Sequence, residues 1–312
     1  MENYDLIIIG AGAAGLSAGI YGARSGLKTL VIEEKLAGGT TGDAPLVENY
    51  PGFPSIPGGE LADKMVQHCK KTGAVLRELE TVVSFDFTGE KKIVKTARTE
   101  YEATAVIIAS GAHYREIEVK GEKEFKGKGV SYCGVCDGPF FKGKRVLVVG
   151  GGNSACITTL YLSGLASEVM VVHRKETFRA ESALVSDIES KSNVKVLWNS
   201  EVKEIKGDKV VKSVMLANSK TGEAREVPVD GVFVQVGESP NSMQAIEAGV
   251  EPEENGCALK IDIHQRTNIP GVYAAGDVTN HPVMQIGTAV GQGITAALDA
   301  YSYIRRPYYR KQ

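Results

Sequence analysis

A chain of 312 residues, at roughly 150 per domain, has room for about two domains, each able to bury its own core without cross-links. Its 36 basic and 38 acidic residues give a formal net charge of -2 and are scattered, which excludes the basic stripe of a nucleic-acid binder and the polybasic patch of a membrane-surface protein. Five cysteines, with Cys69, Cys156 and Cys257 far apart, do not form the disulfide framework of a small secreted domain, and these three are read as inert.

The first predicted element is a strand over Tyr4 to Ile9, followed by "GAGAAG" (Gly10 to Gly15), a small-residue helix to about Ser25, and a second strand in "KTLVIEE". A lone G-x-G-x-x-G is weak evidence; between a strand and a helix it is strong. Gly10 makes the tight turn, Gly12 lets backbone N–H groups approach a pyrophosphate, and Gly15 lets the helix pack close to the strand. Glu33 falls at the end of the second strand, where a carboxylate accepts hydrogen bonds from a ribose diol. These features predict a dinucleotide site at a helix N-terminus. The apolar start "LIIIGAGAAGLSAGI" follows Glu2 and Asp5 with no Lys or Arg before it, unlike a signal peptide. No later stretch has the ~18 uninterrupted apolar residues of a membrane span, so a soluble, cytoplasmic protein is expected.

The pattern then recurs. "KRVLVVGGGNSACITTLYLSG" is a strand, the turn Gly150-Gly151-Gly152-Asn153-Ser154-Ala155 and a helix, followed by the strand in "EVMVVHRKETFR". Each copy is trailed by hairpin-like sequence and then by a buried strand ending in glycine, "AVIIASGA" to Gly111 and "GVFVQVGE" to Gly237. The chain therefore reads as one dinucleotide fold after another. The second copy lacks the acid and offers His173, Arg174, Lys175 and Arg179, which suit a 2′-phosphate and so NADPH over NADH. A last section, a strand ending at Gly276-Asp277 and a helix from about Gln285 to Tyr303, is too small for a domain. It is read as completing the first unit, with linkers near 113 to 118 and 238 to 246.

In order, "GAGAAG", "GGTTGDAPLVENYPGFP", "SYCGVCDGPFF", "GGGNSA", "HRKETFR" and "GVYAAGDV" resemble the low-molecular-weight thioredoxin reductases, a family of the pyridine nucleotide-disulfide oxidoreductase group. The resemblance implies an α/β fold class of two three-layer, Rossmann-like dinucleotide-binding domains. An NADPH domain (117–245) carrying Cys133 and Cys136 is inserted into a discontinuous FAD domain (1–116 and 246–312). By matching motif positions, FAD is assigned to Gly10, Gly12, Ala13, Ala14, Gly15, Glu33, Gly39, Thr40, Asn49, Val83, Gly111, Asp277, Gln285 and Ile286. NADPH is assigned to Gly152, Asn153, Ser154, Ala155, His173, Arg174, Lys175 and Arg179. The chain departs from the family's pattern at Thr40, where a glutamine is usual, at "CITTL", where two acids are usual, and at Lys175, where an arginine is usual.

"SYCGVCDGPF" places Cys133 and Cys136 two residues apart. A structural zinc site needs two more thiolate or imidazole ligands, and no second pair follows. A structural staple closing so short a loop restricts the unfolded chain little. The redox reading remains, and the resemblance completes it. Electrons pass from NADPH to FAD to the Cys133–Cys136 pair and on to a thioredoxin disulfide, with one domain rotating against the other between half-reactions. Cys136 is the flavin-side sulfur, Cys133 attacks the partner, and Asp137 moves the proton. A homodimer is implied by the resemblance alone; no metal, nucleic acid or membrane is expected as partner from the ligand spacing, the charge and the apolar segments. Reduced deazaflavin or ferredoxin as donor, another disulfide as acceptor, and a non-enzymatic FAD-binding thiol sensor stay open as alternatives.

Overall fold

The computed structural model describes residues 1–305 apart from Pro45 and Asn255, so the last seven residues of the expected 246–312 segment lie outside the described residues. The chain divides into two compact units, Met1–His113 with Ser239–Gln312, and Tyr114–Glu238.

The first unit opens with β1 (Glu2–Ile9), α1 (Ala13–Arg24), β2 (Thr29–Ile32), α2 (Gly39–Asp43), α3 (Gly58–Lys71) and β3 (Val75–Arg77). It continues through β4 (Val82–Asp86), β5 (Lys92–Thr96) and β6 (Glu100–Ile108) to the linker strand β7 (Ala112–Tyr114). The second unit begins with β8 (Val130–Ser131), α4 (Gly134–Asp137) and a 3-10 turn, Gly138–Phe141, then β9 (Arg145–Val149), α5 (Asn153–Ser163) and β10 (Glu168–His173). It is completed by α6 (Ser182–Glu189), β11 (Val194–Trp198), β12 (Ser200–Gly207), β13 (Val211–Asn218), β14 (Ala224–Pro228) and β15 (Gly231–Val234). The chain returns through β16 (Glu238–Pro240) and finishes the first unit with α7 (Met243–Glu247), β17 (Val272–Ala274) and α8 (Ile286–Arg305).

In the first unit the strands lie in the order β3-β2-β1-β6-β5-β4, with β17 also paired to β6. β1 runs parallel between β2 and β6, and its uninterrupted "DLIII" is what a central parallel strand covered on both faces requires. Leu6 and Ile8 pack towards α1 and α8 while Ile7 and Ile9 pack towards the opposite layer, where Ala245, Val250 and Leu259 wait. Each such Leu or Ile removed from water contributes roughly 1.5–3 kcal/mol. α1 is built of small residues because α8 lies on it: a Cβ at Gly293 would strike the Ala14 carbonyl. It stops where Gly26, at φ 77°, turns the chain and its N–H returns to the Ala23 carbonyl.

The second unit repeats the plan with a five-stranded parallel sheet, β11-β10-β9-β15-β8. Val146, Val148 and Phe233 meet α5 on one face, whereas Leu147, Val149 and Val232 meet the antiparallel β12-β13-β14 layer on the other. The hairpin-like sequence of the first unit differs from expectation. There "EYEA" and "AVII" form one nine-residue strand, β6, because β1 pairs along it from Tyr101 to Ile108 while β5 pairs with its first half and β17 with its second.

The boundaries also differ from 116/117 and 245/246. Tyr114 begins the second unit, and residues 239–245 belong to the first. Ala245 is 2 % exposed in the first unit's core, and Gln244 Nε2 donates to the Val82 carbonyl at 2.9 Å, so packing fixes this edge. The linker strands β7 and β16 pair with each other, shorter than the stretches expected.

Candidate functional site

The turn after β1 takes a path only glycine allows. Gly10 has φ 101°, and a Cβ there would meet the Ala109 carbonyl; a Cβ at Gly15 would meet the carbonyl of Gly10. Gly12 caps α1, and a Cβ on it would meet only the Gly39 Cα, at 3.9 Å. The first-turn N–H groups of α1 have no intrahelical acceptor, and with this opening they make a cradle for a phosphate. Glu33 follows β2 and is held on both oxygens, accepting from Ala11 N at 2.7 Å and from Lys35 N at 2.9 Å. Its remaining lone pairs are those a ribose diol would use.

Other expected FAD positions converge on this unit. Ala13 and Ala14 are buried in its core, and Gly38 N donates to Ala11 O at 2.8 Å, seating Gly39 and the exposed Thr40 at the start of α2. Asn49 Nδ2 donates to Gln285 Oε1 at 3.0 Å, so two residues 236 apart in sequence meet just before α8. Ile286 opens α8, one residue later than expected. Gly111, at φ 67°, has open space on its Cβ side. Asp277 is half-buried; burial pushes its carboxyl above the usual range, and no side-chain partner satisfies it among the described residues. A half-buried carboxylate without a partner, beside an open cradle, fits a polar ligand such as FAD. Val83 lies at a bulge of the edge strand β4 and is 51 % exposed, with no hydrogen bond to the glycine turn among the described residues. Sequence reasoning missed Gln292, whose Oε1 accepts from Gly276 N at 2.5 Å and sets the turn that presents Asp277.

In the second unit Gly150, at φ 149°, lies against the Gln235 carbonyl, and Gly152 caps α5 with no atom within 4 Å of its Cβ direction. Ala155 replaces the third glycine and is buried. Asn153 does not stand free: its Nδ2 donates to Glu181 Oε1 at 3.0 Å and its Oδ1 accepts from Glu181 N at 2.9 Å. Ser154 is exposed on the first turn of α5. The Arg179 N–H donates to Gly151 O at 2.7 Å, folding the basic segment over the turn.

Arg174, Lys175 and Arg179 are exposed and carry no ion pair among the described residues. His173 is different. It is 5 % exposed, its ring lies where a Cβ of Gly151 would be, and it packs against Phe178 and Trp198. Burial, and then the three cations, hold its pKa below 6.5. The imidazole thus shapes the turn from below, and the cationic rim is Arg174, Lys175 and Arg179.

Cys133 and Cys136 form a disulfide with Cα atoms 5.3 Å apart. Cys133 caps α4, its Sγ accepting from Cys136 N at 3.2 Å. The segment rests on α5: a Cβ at Gly134 would sit 2.6 Å from Thr158 Cγ2, and one at Gly138 would sit 2.9 Å from Tyr161 Cε1. Cys136 is exposed, and Cys133 is half-buried. Ser131 Oγ accepts from Cys133 N at 3.1 Å and donates to Cys133 O at 3.2 Å. Burial pushes Asp137 above the usual carboxylate range, and Ser131 pulls it part of the way back. The S-x-C spacing, a hydroxyl two residues before the cysteine it bonds, could have revealed Ser131 in the sequence.

Two dinucleotide turns, one accompanied in its unit by a C-x-x-C disulfide and a raised carboxyl, define a nucleotide-dependent disulfide oxidoreductase. Residues 4–293 match the family model of the pyridine nucleotide-disulphide oxidoreductases. The thioredoxin reductase of Bacillus subtilis (strain 168) is 44 % identical over 304 residues, covering 96 % of this chain and 95 % of that protein. The crystal structure of thioredoxin reductase from Streptococcus pyogenes MGAS5005 is similar at a TM-score of 0.92 and 40 % identity, covering 97 % of this chain and 98 % of that one. That of the Lactococcus lactis thioredoxin reductase, in the FR conformation, scores 0.66 at 39 % identity, covering 97 % and 99 %. The chain belongs to the pyridine nucleotide-disulphide oxidoreductase family and, within it, to the low-molecular-weight thioredoxin reductases. Its activity is that of a disulfide reductase, with Cys133–Cys136 as the redox-active centre.

Proposed function

We propose that this chain is an FAD-dependent reductase that draws on NADPH and reduces the disulfide of a thioredoxin in the cytoplasm, working as a homodimer. The observation that carries the reading is the Cys133–Cys136 disulfide on the same unit as a nucleotide turn with a cationic rim. When bound, FAD and NADPH supply the two-electron relay that ends at this disulfide.

The chain's own residues do the rest. The α1 cradle and Glu33 hold the pyrophosphate and ribose of FAD, Asp277 accepts from a further hydroxyl or water, and the start of α8 offers its positive end to the flavin. Arg174, Lys175 and Arg179 hold the 2′-phosphate, with Lys175 as a point charge without the guanidinium fork. Once the pair is reduced, the Cys133 thiolate attacks one sulfur of the thioredoxin disulfide, and the other leaves as a thiolate and takes a proton. Cys136 then attacks Cys133, restoring the 133–136 bond and releasing the second thioredoxin sulfur. Asp137, protonated to a higher pH than an exposed aspartate, is the group beside the pair that gives and takes that proton.

The pair belongs to one unit and the FAD turn to the other. The pair must reach flavin in one half-reaction and a bulky protein in the next, which a rotation of the units solves. An engineered cross-link between the units should stop steady turnover and leave one half-reaction; full activity of the locked protein would refute the rotation.

Anaerobic titration of the yellow protein with NADPH, NADH and reduced deazaflavin tests the donor, and adding oxidised thioredoxin tests the acceptor. NADPH should bleach the flavin at the lowest concentration, and thioredoxin should restore the colour. Bleaching by deazaflavin alone would replace the donor. Colour restored only by a small disulfide would replace the acceptor. Sedimentation of the holoprotein at micromolar concentration checks the dimer.

A further inference from the structure

Tyr132, immediately before the redox pair, is fixed on three sides. Its ring is 8 % exposed and stacks on Tyr114 with centroids 5.4 Å apart. Its hydroxyl donates to Glu122 Oε1 at 3.0 Å, and Glu122, fully buried, also accepts from Ile117 N and Glu118 N. Its carbonyl accepts from Gln235 Nε2 at 2.7 Å. The ring and hydroxyl fix the side chain. The contact from Gln235 fixes the peptide that leads directly into Cys133.

Gln235 is itself anchored at the nucleotide turn. It follows β15, its N–H donates to Val149 O at 2.8 Å, and its carbonyl occupies the space a Cβ of Gly150 would need. One residue therefore touches the glycine turn with its main chain and the peptide before the disulfide with its side chain. The amide is half-buried, so water competes for the Tyr132 carbonyl less than at an exposed site.

We propose that Gln235 is a positioning residue of the redox centre, holding the Tyr132 carbonyl, and through it Cys133, in the arrangement of the oxidised pair. The nucleotide turn is the fixed end of this strut. The contact stabilises the disulfide state, so its loss favours the dithiol. This inference rests on Cys133–Cys136 being the redox-active pair and on no assignment of electron donor or acceptor.

The test equilibrates the full-length protein with mixtures of reduced and oxidised dithiothreitol, alkylates it, and counts thiols at Cys133 and Cys136 by mass. Gln235→Met keeps length and packing but removes the donor. It should raise the equilibrium constant for reduction about fivefold, the size of one net hydrogen bond, and speed alkylation of reduced Cys133 by a similar factor. Gln235→Glu can donate to the carbonyl only when its carboxyl is protonated. Measured beside wild type, it should behave as Gln235→Met at pH 8 and approach wild type on acidification, while Gln235→Met stays displaced at every pH. This pH-dependent rescue is a signature that loss of fold cannot mimic. A folded Gln235→Met within twofold of wild type in both measurements, or a Gln235→Glu without the rescue, overturns the proposal. A wrong donor or acceptor would appear as absent turnover in wild type, with this equilibrium still measurable.

Discussion

The two nucleotide turns share a backbone plan and hold opposite chemistry. In the first, the residue after β2 is Glu33, whose carboxylate accepts from the Ala11 amide inside the turn. In the second, the last residue of β10 is His173, whose ring fills the space beside Gly151, and the charge moves outwards to Arg174, Lys175 and Arg179. The first turn presents an acceptor and the second presents cations, which on the proposed reading suit a bare ribose at one and a phosphorylated ribose at the other. In the proposed function the strand–turn–helix scaffold fixes where a dinucleotide lies, and the few side chains at the end of the second strand choose which one.

The comparison breaks most sharply at the cationic rim. Replacing Arg174, Lys175 and Arg179 together by alanine should weaken NADPH binding about a thousandfold, at roughly 1.5 kcal/mol or more per lost charged contact, and leave NADH nearly unchanged. Fluorescence titration with both nucleotides checks it, and parallel loss of both would mean the rim does not read the 2′-phosphate.

The two units also use their raised carboxyls differently. Asp137→Asn should slow exchange at the disulfide about a hundredfold with FAD content unchanged, followed by stopped flow at 450 nm or so. Asp277→Asn should loosen FAD and leave the intrinsic exchange of the pair with dithiothreitol alone. Removing the acceptor of the first turn by Glu33→Gln should weaken FAD about tenfold, the worth of one charged hydrogen bond, with the NADPH constant of the second unit unmoved.

The smallest effect concerns pH. His173 is held below 6.5, by burial first, so the unfolded chain takes up the proton more readily. The contribution of the neutral ring is present in full above pH 6.5 and is lost as the pH falls from there through the lowered folded-state value. Between pH 7 and pH 5 the melting temperature of wild type should therefore fall by a few degrees more than that of His173→Phe. Equal slopes would show that the buried ring carries no such linkage.

Much of this was legible in the sequence because glycines and charges at fixed spacing have few physical uses. Gly10 and Gly15 stand where a Cβ would strike a carbonyl, Glu33 follows the second strand and reaches back to the Ala11 amide, and Cys133 and Cys136 are bonded to each other. What stayed hidden depends on contacts between distant segments. Nothing local marks His173 as buried, since the reason is Phe178 and Trp198 closing around it. Asn153, read from the sequence as an NADPH contact, has an amide bonded to Glu181, a partner 28 residues away that nothing local announces. The domain edge near 245 was invisible for the same reason: Ala245 is apolar in either unit, and only the partner of Gln244 decides which one it joins.

The order of the segments has a consequence for synthesis on the ribosome. The second unit, Tyr114–Glu238, is continuous and complete when its last strand emerges, whereas the first unit waits for β17 to pair with β6 and for α8 to cover α1. At ~5–20 residues per second, the nascent α1 keeps its small-residue face bare for roughly thirteen to fifty seconds while the intervening chain is made. The later part therefore folds before the part that was translated first, and α1 is covered only once α8 has emerged. Chaperone demand should concentrate in that interval.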